Sequence, residues 1–164
     1  MMLEARAENC FSSTHVLKLN GQAIGKIEGR FFSEGLDLAL TGRRRLKLDR
    51  SGWLTSHFQL KDGDTDTVLV EARPAGILTS AWDLNLTCGP AQLKRSGFFR
   101  TSYDVWHKDR VVATVDRLGM CERGWRVVKS SEELEAPDLI LVGLIFHIIL
   151  KRQQQAAAAG AHGT

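Results

Sequence analysis

The sequence lacks every feature that would name a chemistry outright. Its three cysteines, Cys10, Cys88 and Cys121, are odd in number and far apart, so no pair has zinc-ligand or redox spacing and no disulfide framework follows. They read as free thiols in a reducing compartment. The N-terminus MMLEARAENCF has no long apolar core and carries Glu4 and Glu8. It does not read as a secretory signal, and the cytoplasm is the expected location. No block of like charge is long enough for a nucleic-acid tail, so no nucleic-acid partner is expected. The net charge of +3 permits anionic partners without requiring them. The histidines form no cluster along the chain, and no Ser/His/Asp or Cys/His arrangement can be argued. We expect no catalytic residue, no metal and no cofactor.

What is present is rhythm. At 164 residues, with 43% hydrophobic and 25% charged, the chain suits one domain with an ordinary core. Residues 1–14 show no clear period and are expected to form an N-terminal arm. From His15 onward, short alternating segments are separated by turn residues. His15–Leu19 and Gln22–Glu28 flank Asn20-Gly21, the strongest short hairpin signal. Leu36, Leu38 and Leu40 alternate with Asp37 and Ala39, and Leu46 and Leu48 alternate with charged neighbours. Trp53–Leu60, Thr67–Ala72 and Ile77–Leu86 read as further strands, with Cys88-Gly89-Pro90 as a break. Phe99, Tyr103 and Val105 share a face between Phe98 and Trp106, and Val111–Val115 and Trp125–Val128 follow. A period of two with turns at this spacing indicates an all-β sandwich or barrel.

The pattern then changes. Pro137 suits a first helical turn, Asp138 favours the positive end of a helix dipole, and Lys151 and Arg152 favour its negative end. Between them lies LILVGLIFHIIL, Leu139–Leu150, apolar on every side. Twelve residues of helix rise about 18 Å, whereas a bilayer core needs about 30 Å, so no transmembrane span is expected. A helix apolar all round belongs in a core. The only nearby apolar surface is the inner face of the sheet, which places the helix on the axis of a closed antiparallel barrel. Gly143 would let a side chain or strand approach it closely. Helix 138–155 completes a single domain over 15–155, and 156–164 is expected as a flexible tail.

Three stretches carry a resemblance: LKLNGQAIGKIEG, RLKLDRSGWLTSHFQLKDG, and the ending in which YDVWHKDRVVATVDR and GWRVV lead into APDLILVGLIFHIIL. Over roughly residues 15–150 the chain resembles the tubby C-terminal-like superfamily, most closely its LURP-one-related and phospholipid scramblase-like branch. The resemblance implies a mainly β fold, a closed antiparallel barrel of about twelve strands around one central hydrophobic helix. It also implies recognition of phosphoinositides or membrane association. The chain lacks the cysteine-rich stretch that acylated scramblase-type members carry, and no phosphoinositide site maps residue by residue.

The residues themselves offer one leading binding candidate, Arg43, Arg44, Arg45, Lys47 and Arg50. Consecutive arginines beside a turn can grip phosphate oxygens in pairs or meet an anionic membrane surface. Lys94, Arg95 and Arg100 form a second, smaller group. Asp62, Asp64 and Asp66 resemble the start of a calcium loop, but Thr67 and Arg73 stand where glycine and glutamate are needed. GQAIGK, Gly21–Lys26, is one residue short of phosphate-loop spacing, and Ile27 stands where the hydroxyl belongs. His147, inside the apolar run, should be a buried neutral imidazole, and the four tryptophans should pack the barrel. The expectation is therefore a non-enzymatic cytoplasmic binding module, peripheral to a membrane if its ligand is an anionic phospholipid. The alternative is a protein-interaction or structural domain with no small ligand.

Overall fold

Alternation of apolar and polar residues becomes a single curved sheet. The computed structural model describes residues 1–9, 12–29, 34–52, 56–76, 80–97, 101–119 and 122–161. Its strands are β1 (Met2–Ala7), β2 (His15–Leu19), β3 (Gln22–Gly29), β4 (Leu36–Leu40), β5 (Arg45–Ser51) and β6 (His57–Asp62). They continue with β7 (Val68–Pro74), β8 (Trp82–Leu86), β9 (Gly89–Arg95), β10 (Tyr103–His107), β11 (Arg110–Arg117) and β12 (Gly124–Lys129), and the helix α1 (Ala136–Ala161) ends the chain. Each strand lies antiparallel beside its sequence neighbours, and β1 pairs with β12, so the barrel closes. Closure leaves no unpaired strand edge.

At one end of the barrel, here the upper end, Asn20-Gly21 turns with both residues at positive φ, 50° and 83°, the geometry of a type I′ hairpin. Lys108-Asp109 does the same at 47° and 62°. The lower end carries the longer connections.

The helix occupies the axis. Every residue from Leu139 to Phe146 is buried, as are Ile148 and Ile149. An eight-stranded barrel is just wide enough for side chains to fill; twelve strands leave a lumen that only a further element can occupy. The dimensions agree. Strands of five to eight residues span about 17–26 Å, and the apolar run rises about 18 Å. The helix is apolar for the height of the barrel and largely exposed beyond it, where Lys151 to Gly160 emerge at the lower end.

Two polar anchors fix it. At the upper end the fully buried Asp138 accepts hydrogen bonds from the Thr87 amide at 2.8 Å, the Thr87 hydroxyl at 2.5 Å and the Glu135 amide at 2.8 Å. The last caps the helix start, as the third-position carboxylate of a capping box does; the other two tie it to the β8–β9 turn. At the lower end Arg152 donates to both carboxylate oxygens of Glu34 at 2.7 Å and to the Ser56 hydroxyl at 3.1 Å. Its guanidinium also lies about 6 Å from the rings of Phe58 and Trp82, within cation–π range. The hydrogen bonds from Arg152 hold the Glu34 carboxyl below its ordinary value, against the opposing effect of burial.

Two expectations are corrected. The first residues are not an arm: Leu3 and Ala5 are buried, and Met2–Ala7 supplies β1, which closes the barrel between β2 and β12. The expected break after Leu86 is there, since β8 ends at Leu86, and Gly89-Pro90 then opens β9, a strand the alternation does not mark. Proline is tolerated at the start of a strand, and the Pro90 carbonyl accepts from His107 Nδ1 at 2.7 Å. The helix runs to Ala161, so residues 156–161 are helical rather than a loose tail. The expectations for Cys10, Trp53, Leu54, Leu78, Phe98, Phe99, Arg100, Cys121 and residues 162–164 lie outside the described residues.

Gly143 plays the part expected of it. A Cβ there would overlap the indole of Trp125, which is itself fully buried. Gly143→Ala should therefore destabilise the protein by about 1–3 kcal/mol or more, although glycine-to-alanine changes normally favour a helix. Gly160→Ala, in the same helix with open space around it, should be neutral or stabilising by up to about 1 kcal/mol. Asp138→Ala should cost about 2–3 kcal/mol, because it strands the Thr87 amide. Urea unfolding of the three variants tests these values, and equal midpoints for the two glycine variants would disprove the close helix–Trp125 contact.

Candidate functional site

With the helix filling the barrel, the polar and charged side chains lie at the surface and the rims. The sequence candidate, Arg43, Arg44, Arg45, Lys47 and Arg50, does not come together as one patch. Arg43–Arg45 form the upper β4–β5 corner, where Thr41–Arg43 make a short 3-10 turn and Gly42 and Arg43 both have positive φ, 82° and 65°. All three arginines are exposed. Leu46 and Leu48 point inward, so Arg45 and Lys47 point outward. Arg50 falls on the other parity and lies about 17 Å farther down the strand, at the lower rim, where it pairs with Glu34 at 3.2 Å. Lys47 is held by Asp66 and lies 4.0 Å from Asp49. The available cluster is the arginine corner alone.

The neighbouring turn is acidic. Asp62 Oδ1 accepts from the amides of Asp64 and Thr65 at 2.9 and 3.1 Å, and these bonds, with Arg44 nearby, hold its carboxyl below the usual range. This is the polar hairpin that the failed calcium spacing implied. Among the described residues no group of three or more His, Cys, Asp or Glu could hold a metal ion. GQAIGK is likewise a hairpin: Gly21 sits in the β2–β3 turn and Gln22–Gly29 is strand.

A feature the sequence reading did not assemble is a groove of about 630 Å³ on the outer wall from β6 to β10, lined by residues such as His57, Glu71, Asp83, Gln92, Lys94 and Trp106. It follows from alternation: Phe58, Ala72, Leu84, Leu93 and Val105 are buried, which turns their polar neighbours outward. Glu71 accepts from Gln59 at 3.3 Å and lies 3.0 Å from His57 Nε2. These contacts, Gln59 foremost, hold its carboxyl below the ordinary value. Gln92 donates to Asp83 at 3.0 Å. Trp106 is 37% exposed, with the Lys94 ammonium 6.0 Å from its ring. The expectation that all tryptophans pack the barrel thus holds for Trp82 and Trp125 and fails for Trp106. Tyr103 and Val105 inward place Trp106 outward, a signal that strand parity already carried. Of the second basic group, Lys94 joins this groove and Arg95 ends β9.

His147 is half-buried, where full burial was expected. Burial, then the neighbouring His15, Lys151 and Arg123, push its pKa down to about 3. The His15 ring meets it edge-on at 4.7 Å. Burial lowers His15 too, partly offset by a backbone hydrogen bond at Ser13.

Fold and surfaces together define the class: a closed twelve-stranded antiparallel barrel around a central helix, with its polar features on the outside and at the rims. No family model matches the sequence, and no curated protein matches it. The X-ray structure of a protein from Arabidopsis thaliana superposes with a TM-score of 0.60 at 15% identity, covering 90% of this chain and 91% of that one. At that identity the two share a fold. Among the described residues no helix is long and apolar enough to cross a membrane.

The histidine pair sets a pH dependence. The unfolded chain takes up a proton at the ordinary histidine value near 6.5, whereas native His147 resists it until about 3. Stability contributed by the neutral ring is therefore complete above 6.5 and lost as pH falls towards 3, at up to about 1.4 kcal/mol per pH unit. His147→Phe should flatten the dependence of the urea midpoint on pH between about 6 and 4 relative to the parent; parallel curves would show that His147 is not held neutral.

Proposed function

We propose that this protein is a non-enzymatic binding module of tubby-like, LURP-one-related type, and that it recognises an anionic phospholipid headgroup or phosphorylated ligand through the arginine corner Arg43–Arg45. The observation that carries this reading is the placement of three consecutive exposed arginines on a tight upper turn, clear of the rim where Arg50 and Arg152 share Glu34. Guanidinium groups bind phosphate oxygens in pairs, and each cation near an anionic bilayer adds about 1 kcal/mol. The filled barrel supports surface recognition over enclosure of a ligand. The acidic turn beside the corner limits the net field, which favours a compact headgroup over a broad electrostatic footprint.

A second reading rests on a different observation, the outer-wall groove with its exposed Trp106. Aromatic and hydrogen-bonding groups in one concavity suit a protein partner, and this is the protein-interaction alternative.

Sedimentation with phosphatidylcholine vesicles containing phosphatidylserine or a phosphoinositide separates the two. At low salt the parent should pellet with anionic vesicles and not with neutral ones. The Arg43→Ala, Arg44→Ala, Arg45→Ala triple variant should lose most of that binding, and Trp106→Ala should keep it. No pelleting of the parent, or binding unchanged in the triple variant, would refute the headgroup reading.

A further inference from the structure

Along the chain no serine, histidine and carboxylate stand together, but strand pairing builds such a row on the outer wall. Leu46 and Leu48 of β5 are buried, as are Phe58 and Leu60 of β6 and Val70 and Ala72 of β7. Alternation therefore turns Ser51, His57 and Glu71 outward on three neighbouring strands. Ser51 lies directly opposite His57 in the β5–β6 ladder. Glu71 lies opposite Gln59, on the diagonal from His57, a spacing that long side chains bridge.

The three side chains are joined in order. Ser51 Oγ lies 3.0 Å from His57 Nδ1, and His57 Nε2 lies 3.0 Å from Glu71 Oε2. The other acceptor near the Ser51 hydroxyl, the His57 carbonyl, is farther away at 3.5 Å. Glu71 is the fixed end of the row. Gln59 donates to its Oε2 at 3.3 Å and Asn85 to its Oε1 at 3.5 Å. Gln59 foremost, with His57 and Asn85, these bonds hold the carboxyl below its ordinary value, so it is ionised near neutral pH.

The tautomer follows from that charge. An ionised carboxylate only accepts hydrogen bonds, so His57 Nε2 carries the hydrogen. In the neutral ring Nδ1 is then an acceptor facing the Ser51 hydroxyl. This is the arrangement in which an imidazole takes the proton of a serine while a carboxylate orients the ring and stabilises the imidazolium. The ring is turned end for end relative to the usual serine hydrolase, but such a constellation is defined by roles and geometry. Ser51 is exposed, so an electrophile reaches its oxygen from solvent. The His57 and Glu71 side chains are only 31% and 32% exposed, which shields the base and its orienting group. Both also line the near edge of the outer-wall groove, and Ser51 stands one strand outside it.

We propose that Ser51 is an activated nucleophile that accepts an acyl group from an activated carboxylic ester. Ser51 Oγ bonds to the acyl carbon, and the bond from that carbon to the alcohol oxygen breaks. The serine proton passes to His57 Nδ1 and from there to the departing oxygen. The products are acyl-Ser51 and the free alcohol, and His57 ends neutral. This is a covalent modification site on the binding module, remote from Arg43–Arg45, and it stands or falls independently of what that corner binds.

The test incubates the full chain with p-nitrophenyl acetate near neutral pH, follows release of p-nitrophenol and locates the acetylated peptides by mass spectrometry. Acetylation should reach Ser51 faster than Ser130, an exposed serine whose hydroxyl donates to the Val111 carbonyl. General-base assistance is worth roughly 10²–10⁴-fold, so His57→Gln should slow labelling of Ser51 about a hundredfold or more. Glu71→Gln should slow it as well, and the ring-nitrogen chemical shifts of His57 should lose the Nε2–H preference of the parent. Urea midpoints show that the variants are folded. No acetyl group on Ser51, a rate there no greater than at Ser130, or a rate unchanged in His57→Gln overturns the proposal.

Discussion

The structure depends on one constraint: a twelve-stranded closed sheet has a lumen that its own side chains cannot fill, and an apolar helix of matching height fills it. Neither part is stable by itself. The helix has no polar face to show water along Leu139–Phe146, and an empty barrel would expose the inward leucines and valines of every strand. Their mutual burial is the core. Asp138 at the upper end and Arg152 at the lower end set the helix at its depth, because each is tied by charge-assisted bonds to a fixed loop.

That solution moves chemistry outward. Inward strand positions are committed to the helix, so polar and charged residues collect on the outer wall and at the two rims. Strand parity then decides which of them can act together. It splits Arg50 from Arg45 and Lys47, and it turns Trp106 away from the core towards Lys94. On β5, β6 and β7 it sets Ser51, His57 and Glu71 in one outward row.

Much of the fold was legible. The two-residue period announced strands, Asn20-Gly21 announced its hairpin, and the run from Leu139 to Leu150 announced a central helix by its length and charged flanks. Two strands escaped notice for identifiable reasons. β1 has a weak pattern, since Glu4 is buried between Leu3 and Ala5, so no alternation marks it. β9 begins with Gly89-Pro90, residues that usually punctuate a strand, and its pairing with β8 and β10 outweighs that local signal. The candidate site was legible only as composition. Three arginines in a row are visible in any reading, whereas the pairing of Arg50 with Glu34, sixteen positions earlier, is not.

The sequence by itself determined the repeating alternation, the positions of the tight turns and an all-round apolar helix too short for a bilayer, because each rests on interactions between residues close along the chain. Only the tertiary structure decided that the first strand closes the barrel on the twelfth. It also decided which cations keep counter-ions, and that His15 and His147, more than a hundred residues apart, meet ring to ring. Those outcomes depend on register and closure, which bring distant residues together through backbone pairing and leave no mark in local composition.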